Sequence, residues 1–229
     1  MISSYFIYPE TMKKNLLITL FAIVGLFVSN NSMGINIIPI KYSNVRLIVT
    51  HKLPKGGSLV CSAGLTKDYD LTKPISSRIC HSYTTDGVFH HRQSPKRIGV
   101  FTYYNGRYHF TYGGEDELKK AARNGGMGFM QWMVIYNYNP RKIKTFRAPH
   151  HFRVLAELKG KICFIEADDP LTMTDFTNEL VKLKVKYAIY LDTGEGWQTF
   201  YYKQDGKTHY KYETWYPFPF RTNVLYFEE

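Results

Sequence analysis

The chain has 229 residues, enough for one domain with a substantial core, and carries 30 Lys and Arg against 19 Asp and Glu. Its 44% hydrophobic and 16% aromatic content excludes a disordered chain, and three cysteines are too few for a disulfide scaffold. The formal net charge of +11 points to a polyanionic partner, although a surplus of that size also occurs on proteins that bind nothing acidic.

Lys13-Lys14 precede an uncharged apolar run from Leu16 to Val28, with small and polar residues following through Ser32 and Gly34. That is the pattern of a secretory signal. The run is shorter than the roughly 20 residues a spanning helix needs, although an N-terminal membrane anchor is the alternative. Residues 1–11, ahead of Met12, read as an upstream extension. The expectation is an extension and export signal over 1–34 and one domain over 35–229, periplasmic or extracellular. Residues 1–34 hold only Lys13, Lys14 and Glu10, so ten of the eleven net charges belong to the domain. In an oxidising compartment Cys61 and Cys80 are close enough in sequence to pair, leaving Cys163 as a small apolar strand residue. No Cys/His spacing suits a zinc site.

Along the domain, Ile98–Tyr104 and the segment from Arg107 flank Asn105-Gly106, a hairpin signal because a type I′ turn needs positive φ at both central positions. A helix follows over Glu115–Asn124, with Leu118, Ala121 and Ala122 on one face and Gly125 to stop it. Phe129–Tyr136 reads as one apolar strand. Phe152–Leu158 and Lys161–Ala167 form a hairpin through Lys159-Gly160. Thr172, three residues before Asp175, caps a helix with Met173, Phe176, Leu180 and Leu183 at helical spacing. Tyr187–Leu191 is a buried strand leading into Asp192-Thr-Gly-Glu-Gly196, and a last strand covers Asn223–Phe227. The predicted fold class is α+β: a single domain with a mixed central sheet and a few helices packed on it.

A strand that delivers Asp192 into a glycine-containing loop is the most suggestive feature for chemistry, because loops held at strand ends carry function disproportionately. Asp192 as a simple turn residue is the alternative. Glu195 offers a second carboxylate of the kind glycosidic acid–base chemistry uses, or a solvated loop charge. Arg153 opens a strand, either to grip a phosphate or to pair with an acid. Glu166-Ala-Asp-Asp169 resembles a metal-binding acidic cluster, and the helix N-terminus just downstream explains those acids without a metal. Trp197, Tyr201, Tyr202, Trp215 and Tyr216 could stack on sugar rings or serve as strand residues. His90-His91 and His150-His151 read as surface residues, since neighbours on a strand face opposite ways.

The stretch Phe152-Arg-Val-Leu-Ala-Glu-Leu, then Lys161-Ile-Cys-Phe-Ile-Glu, Asp169-Pro-Leu-Thr172, and Lys186-Tyr-Ala-Ile-Tyr-Leu-Asp-Thr-Gly-Glu-Gly resembles the phosphodiester glycosidase family, the uncovering-enzyme type. Family members place an arginine at a strand start, then a hairpin, a helix introduced by Pro-Leu-Thr, and a strand ending in Leu-Asp-Gly-Gly-Gly-Ser. Weaker matches lie at Cys61-Ser-Ala-Gly64, Ile98-Gly-Val-Phe101 and Gly126-Met-Gly-Phe-Met-Gln131. The chain departs from the pattern at Thr193, Glu195 and Gly196, and the last removes the family serine. It resembles a variant subgroup of secreted bacterial members.

The resemblance implies hydrolysis of a sugar-1-phosphodiester at the glycosyl–phosphate bond. It implies Asp192 and Arg153 as catalytic residues, with Gly194, Glu195, Trp197, Gln131 and Gly64 around the substrate. No cofactor is required by these residues, and a divalent cation stays open. The expected partner is a phosphorylated or acidic glycan, with no nucleic acid and no membrane span after signal removal. A non-catalytic phosphoglycan-binding protein using the same cleft is the competing reading.

Overall fold

The computed structural model describes residues 34–50, 53–67, 78–92, 98–143, 148–193, 200–211 and 222–229. The predicted signal segment through Met33 lies outside them. The chain opens with β1 (Ile35–Pro39), β2 (Asn44–Thr50), β3 (Leu59–Ser62), β4 (Thr66–Lys67), β5 (Arg78–Ile79) and β6 (Tyr83–Thr85). Next come β7 (Val88–His90), β8 (Ile98–Tyr104), β9 (Arg107–Gly113) and a short helix, Asp116–Arg123. β10 (Met127–Gln131), β11 (Met133–Tyr136), β12 (Asn139–Pro140), β13 (Arg153–Leu158) and β14 (Lys161–Ala167) precede a longer helix, Met173–Lys182. β15 (Tyr187–Tyr190), β16 (Phe200–Gln204), β17 (Lys207–Lys211) and β18 (Thr222–Glu228) complete the order.

Three sheets carry the fold, ordered β1-β14-β13-β15-β11-β12, β7-β6-β10-β8-β9 and β17-β16-β3-β18-β2, with β4 and β5 paired separately. Every strand pairing among the described residues is antiparallel. The fold is therefore richer in β-structure than the expected α+β arrangement, and the expected mixed sheet is not what forms. Short turns are the reason: Lys159-Gly160 and Asn105-Gly106, all at positive φ, reverse the chain at once and leave no crossover for a parallel partner.

The inner faces of all three sheets share one apolar core, with Leu47, Cys61, Phe101, Phe129, Leu155, Phe164, Ile189 and Phe200 all buried. The opposite face of the six-stranded sheet, carrying Val154, Ala156, Ile165 and Ala188, is covered by Met173, Phe176 and Leu180 of the longer helix. Burying each such side chain stabilises the fold by about 1.5–3 kcal/mol. Thr172 caps this helix as predicted, its Oγ1 accepting from the Asp175 N–H at 3.1 Å. The shorter helix places Leu118 against Ile98, Val100 and Met130 of the β7-to-β9 sheet.

The predicted single strand Phe129–Tyr136 is two strands in two sheets. The Gln131 side chain accepts from the Trp132 N–H at 2.9 Å, taking that donor out of the ladder, and the chain passes from one sheet to the other there. Cys61 and Cys80 do not form the expected disulfide. Cys61 is fully buried in β3 among core residues, and burial pushes its thiol up to about 12. Tyr201 and Tyr202 are core rings rather than displayed stacking platforms, 2% and 8% exposed. Among the described residues no helix is long and apolar enough to cross a membrane.

Candidate functional site

Five strand ends meet where β15 runs out. The Tyr190 N–H donates to the Trp132 carbonyl at 2.9 Å, Leu191 N–H to Arg153 O at 3.0 Å, and Asp192 N–H to Ala63 O at 2.9 Å. The ends of β10 and β3 and the beginnings of β11 and β13 are thereby tied to the residues that carry Asp192. β18 joins through Asn223, whose backbone carbonyl accepts from the Ala63 N–H at 3.0 Å. The fully buried Asn223 amide also grips Gly64 at both ends, accepting from its N–H at 2.6 Å and donating to its carbonyl at 2.8 Å.

Gly64 is suited to this contact because a Cβ there would meet Asn223 Oδ1 at 3.3 Å and the Met130 carbonyl at 3.5 Å. The loop it begins turns the Thr66 N–H toward Asp192, whose Oδ2 accepts at 3.3 Å. Asp192 is 2% exposed. Its carboxylate is thus held against a backbone amide on a loop that a buried asparagine holds in turn.

Arg153 shares this end of the sheet, but its side chain runs inward. Its Nε donates to Glu166 Oε1 at 3.1 Å directly across the β13–β14 ladder, and its guanidinium lies 4.5 Å from the Phe200 ring centroid. Of the two readings open for Arg153, pairing with an acid is the one seen, in a central strand rather than an edge. Glu166 was assigned to the helix N-terminus on sequence; instead, strand alternation turns it into the interior. Burial pushes the Glu166 carboxyl up, with Arg153 opposing the shift, and its Oε2 is buried with no hydrogen-bond partner among the described residues. Asp168 pairs with Lys211 at 3.3 Å.

Arg153 and Asp192 both act on Tyr190. Burial pushes its phenol up to about 12, the Asp192 carboxylate adding to the rise and the Arg153 guanidinium opposing it. The Tyr190 hydroxyl is hydrogen-bonded to Thr193 Oγ1 at 2.8 Å and receives the Thr193 N–H at 3.3 Å, which fixes the first residue of the loop after Asp192. Gln131, at the end of β10, is fully buried, and its Nε2 has no hydrogen-bond partner among the described residues.

The backbones of Arg153, Asp192 and Gly64 thus meet at one place, with Gln131 at the strand end beside them. Gly194, Glu195 and Trp197 lie outside the described residues, as do Trp215 and Tyr216. Asn223 and Thr66 were missed. Nothing in the surroundings of Asn223 marks it in sequence, since its partner is 159 residues away. Among the described residues no group of three or more His, Cys, Asp or Glu side chains gathers as for a metal ion. An open groove of about 410 Å³, lined by Ser43, Arg46, Asp86, Tyr104, Asn105 and Asn124 among others, includes none of the predicted site residues.

The fold has a counterpart among solved structures. The chain is similar in fold to the catalytic domain of zebrafish N-acetylglucosamine-1-phosphodiester alpha-N-acetylglucosaminidase, auto-inhibited by its pro-peptide. The TM-score is 0.60 over 88% of this chain and 85% of that one, at 11% identity. No protein-family model matches the sequence, and no curated protein matches it. At 11% identity the likeness concerns the fold alone, and what the site does has to be argued from its residues.

Proposed function

We propose that this chain is an exported hydrolase that splits the glycosyl–phosphate bond of a sugar-1-phosphodiester. The observation that carries the proposal is the placement of Asp192. A strand end delivers its carboxylate onto the Thr66 amide, on a loop locked by Asn223, where five strand ends converge. Pre-organisation of this kind is what a group acting at a reacting centre needs. The fold shared with a phosphodiester glycosidase catalytic domain supports the same reading.

In this reading water replaces the phosphate at the anomeric carbon. The C1–O bond breaks, the sugar leaves with a free hydroxyl, and the other product is a phosphomonoester. Asp192 serves as acid–base or nucleophile. Arg153 positions the site through its backbone, its carbonyl accepting from the Leu191 N–H, and Gly64 and Gln131 border the substrate. Gly194, Glu195 and Trp197 are assigned to substrate binding on sequence alone.

A non-catalytic phosphoglycan-binding role is the second reading, and one observation favours it: Arg153 is 1% exposed and already paired with Glu166, so its charge is not displayed to solvent. One experiment separates the two. Purified protein is incubated with sugar-1-phosphodiesters, with and without divalent cations, and free sugar is measured. The hydrolase reading expects turnover that falls by about a hundredfold or more in Asp192→Asn. Saturable binding without turnover assigns the binding role, and undiminished hydrolysis by Asp192→Asn removes Asp192 from the chemistry.

A further inference from the structure

The far end of β15 carries a different arrangement. Tyr187, at its beginning, is separated from Asp192 by about 16 Å along an extended segment. There the β11–β12 hairpin turns through Asn137 and Tyr138, at φ 50° and 65°. Type I′ geometry normally recruits glycine at its second position, and a tyrosine at positive φ costs conformational energy. The Tyr138 side chain gains no burial in return, being 57% exposed. The turn is held by the Tyr138 N–H donating to Lys186 O at 2.9 Å, and the returning chain by Arg141 N–H to Val134 O at 2.9 Å.

Arg141 follows the hairpin. Its guanidinium carbon lies 4.8 Å from the Tyr112 ring centroid and 5.5 Å from that of Tyr136, two rings 6.0 Å apart. Tyr136 meets the Tyr187 ring at 5.5 Å in a tilted contact, and Lys186 Nζ sits 5.0 Å from the Tyr187 centroid. Lys186 is paired with Glu157, whereas Arg141 and its exposed neighbour Lys142 make no ion pair among the described residues. From Asn137 to Ala156 the sequence contains no Asp or Glu, and Arg141, Lys142, Lys144 and Arg147 follow closely on one another. A guanidinium steadied by two phenol rings keeps its donor edge for bidentate contact with two oxygens of a phosphate. An exposed tyrosine beside it offers a face for a pyranose ring.

We propose that Tyr138, Arg141 and Lys142, supported by Tyr112 and Tyr136, form a second binding surface, one for the phosphate-bearing chain of an anionic glycan. Charge complementarity identifies the partner as anionic, and the exposed large side chains described in the patch are tyrosines, whose hydroxyls suit a polar sugar, rather than the Leu, Phe or Trp that insert into lipid. The choice of a glycan among polyanions rests on the hydrolase or glycan-binding reading of the Asp192 site; the anion binding does not.

The test is equilibrium binding of the purified full chain to phosphorylated dextran, with plain dextran, single-stranded polynucleotide and phosphatidylglycerol vesicles in parallel. Phosphorylated dextran should bind in a salt-sensitive way, more tightly than the other three. Arg141→Gln should weaken this binding about tenfold. Tyr138→Gly should also weaken it severalfold while keeping or raising stability, since glycine relieves the positive φ. Hydrolysis of a small sugar-1-phosphodiester should be unchanged in both variants. Unchanged binding in Arg141→Gln and Tyr138→Gly overturns the surface, as does equal affinity for plain dextran. Preference for vesicles or polynucleotide overturns the glycan assignment. Absence of hydrolysis in the wild type bears only on the Asp192 reading, because the binding arms do not depend on turnover.

Discussion

Arg153 and Glu166 face each other across the β13–β14 ladder with Nε and Oε1 3.1 Å apart, and neither side chain is more than 1% exposed. A buried pair of this kind contributes little net stability against an apolar replacement, but removal of one partner strands the other charge. Glu166→Ala should therefore cost about 3–5 kcal/mol. The double variant Arg153→Met/Glu166→Leu should lose far less. Urea titrations of the single and double variants check this, and equal losses in both would remove the pair from the stability of the core.

Asn223→Ala strands both the N–H and the carbonyl of Gly64 in the interior. The expected loss is about 2–4 kcal/mol, from two unsatisfied buried groups. Because the same loop presents the Thr66 amide to Asp192, the proposed hydrolysis should fall more than the folded fraction does. Activity measured at a temperature where the variant stays folded separates the two effects.

Gly128→Ala tests the packing of β10 on β8. A Cβ at that position would meet Thr102 Cγ2 at 2.6 Å and the Phe101 carbonyl at 2.7 Å. Backbone has to move, at a cost of about 1–3 kcal/mol. A lowered Tm with unchanged binding at the Arg141 surface is the expected pattern.

Glu115 gives a pH dependence. Burial opposes its ionisation, but the Ser82 hydroxyl, His91 and Lys119 outweigh that and hold the carboxyl below its usual value. A folded value below the unfolded one means the stabilisation is complete above the ordinary glutamate range and is lost as pH falls through the depressed value. Wild-type stability should therefore drop on acidification through that range, with a shallower slope in Glu115→Gln. Parallel pH–stability curves for the two proteins would contradict it.

Local features were legible in the sequence where a short segment decides its own conformation. Asn105-Gly106 turns a hairpin because its two positive φ angles suit those residues, and Thr172 caps its helix because the partner N–H is three residues away. The same logic applies to Asp205-Gly206, at φ 51° and 72°, which joins β16 to β17. Asp192 at the end of a buried strand was also visible, since strand, polar residue and loop are contiguous.

The remainder depended on partners remote in sequence. Apolar run and β-propensity made Phe129–Tyr136 a single strand, and only the switch of sheets at Trp132 divides it. A lone arginine opening a strand reads equally as a phosphate ligand or an ion-pair partner. The β13–β14 register, placing Glu166 opposite Arg153, decided for the pair. The sequence alone places ten of eleven net charges in residues 35–229. Tertiary structure decided which cations are spent inside, as Arg153 is, and which are held out on aromatic rings, as Arg141 is, because burial and pairing are set by what the fold brings alongside each charge.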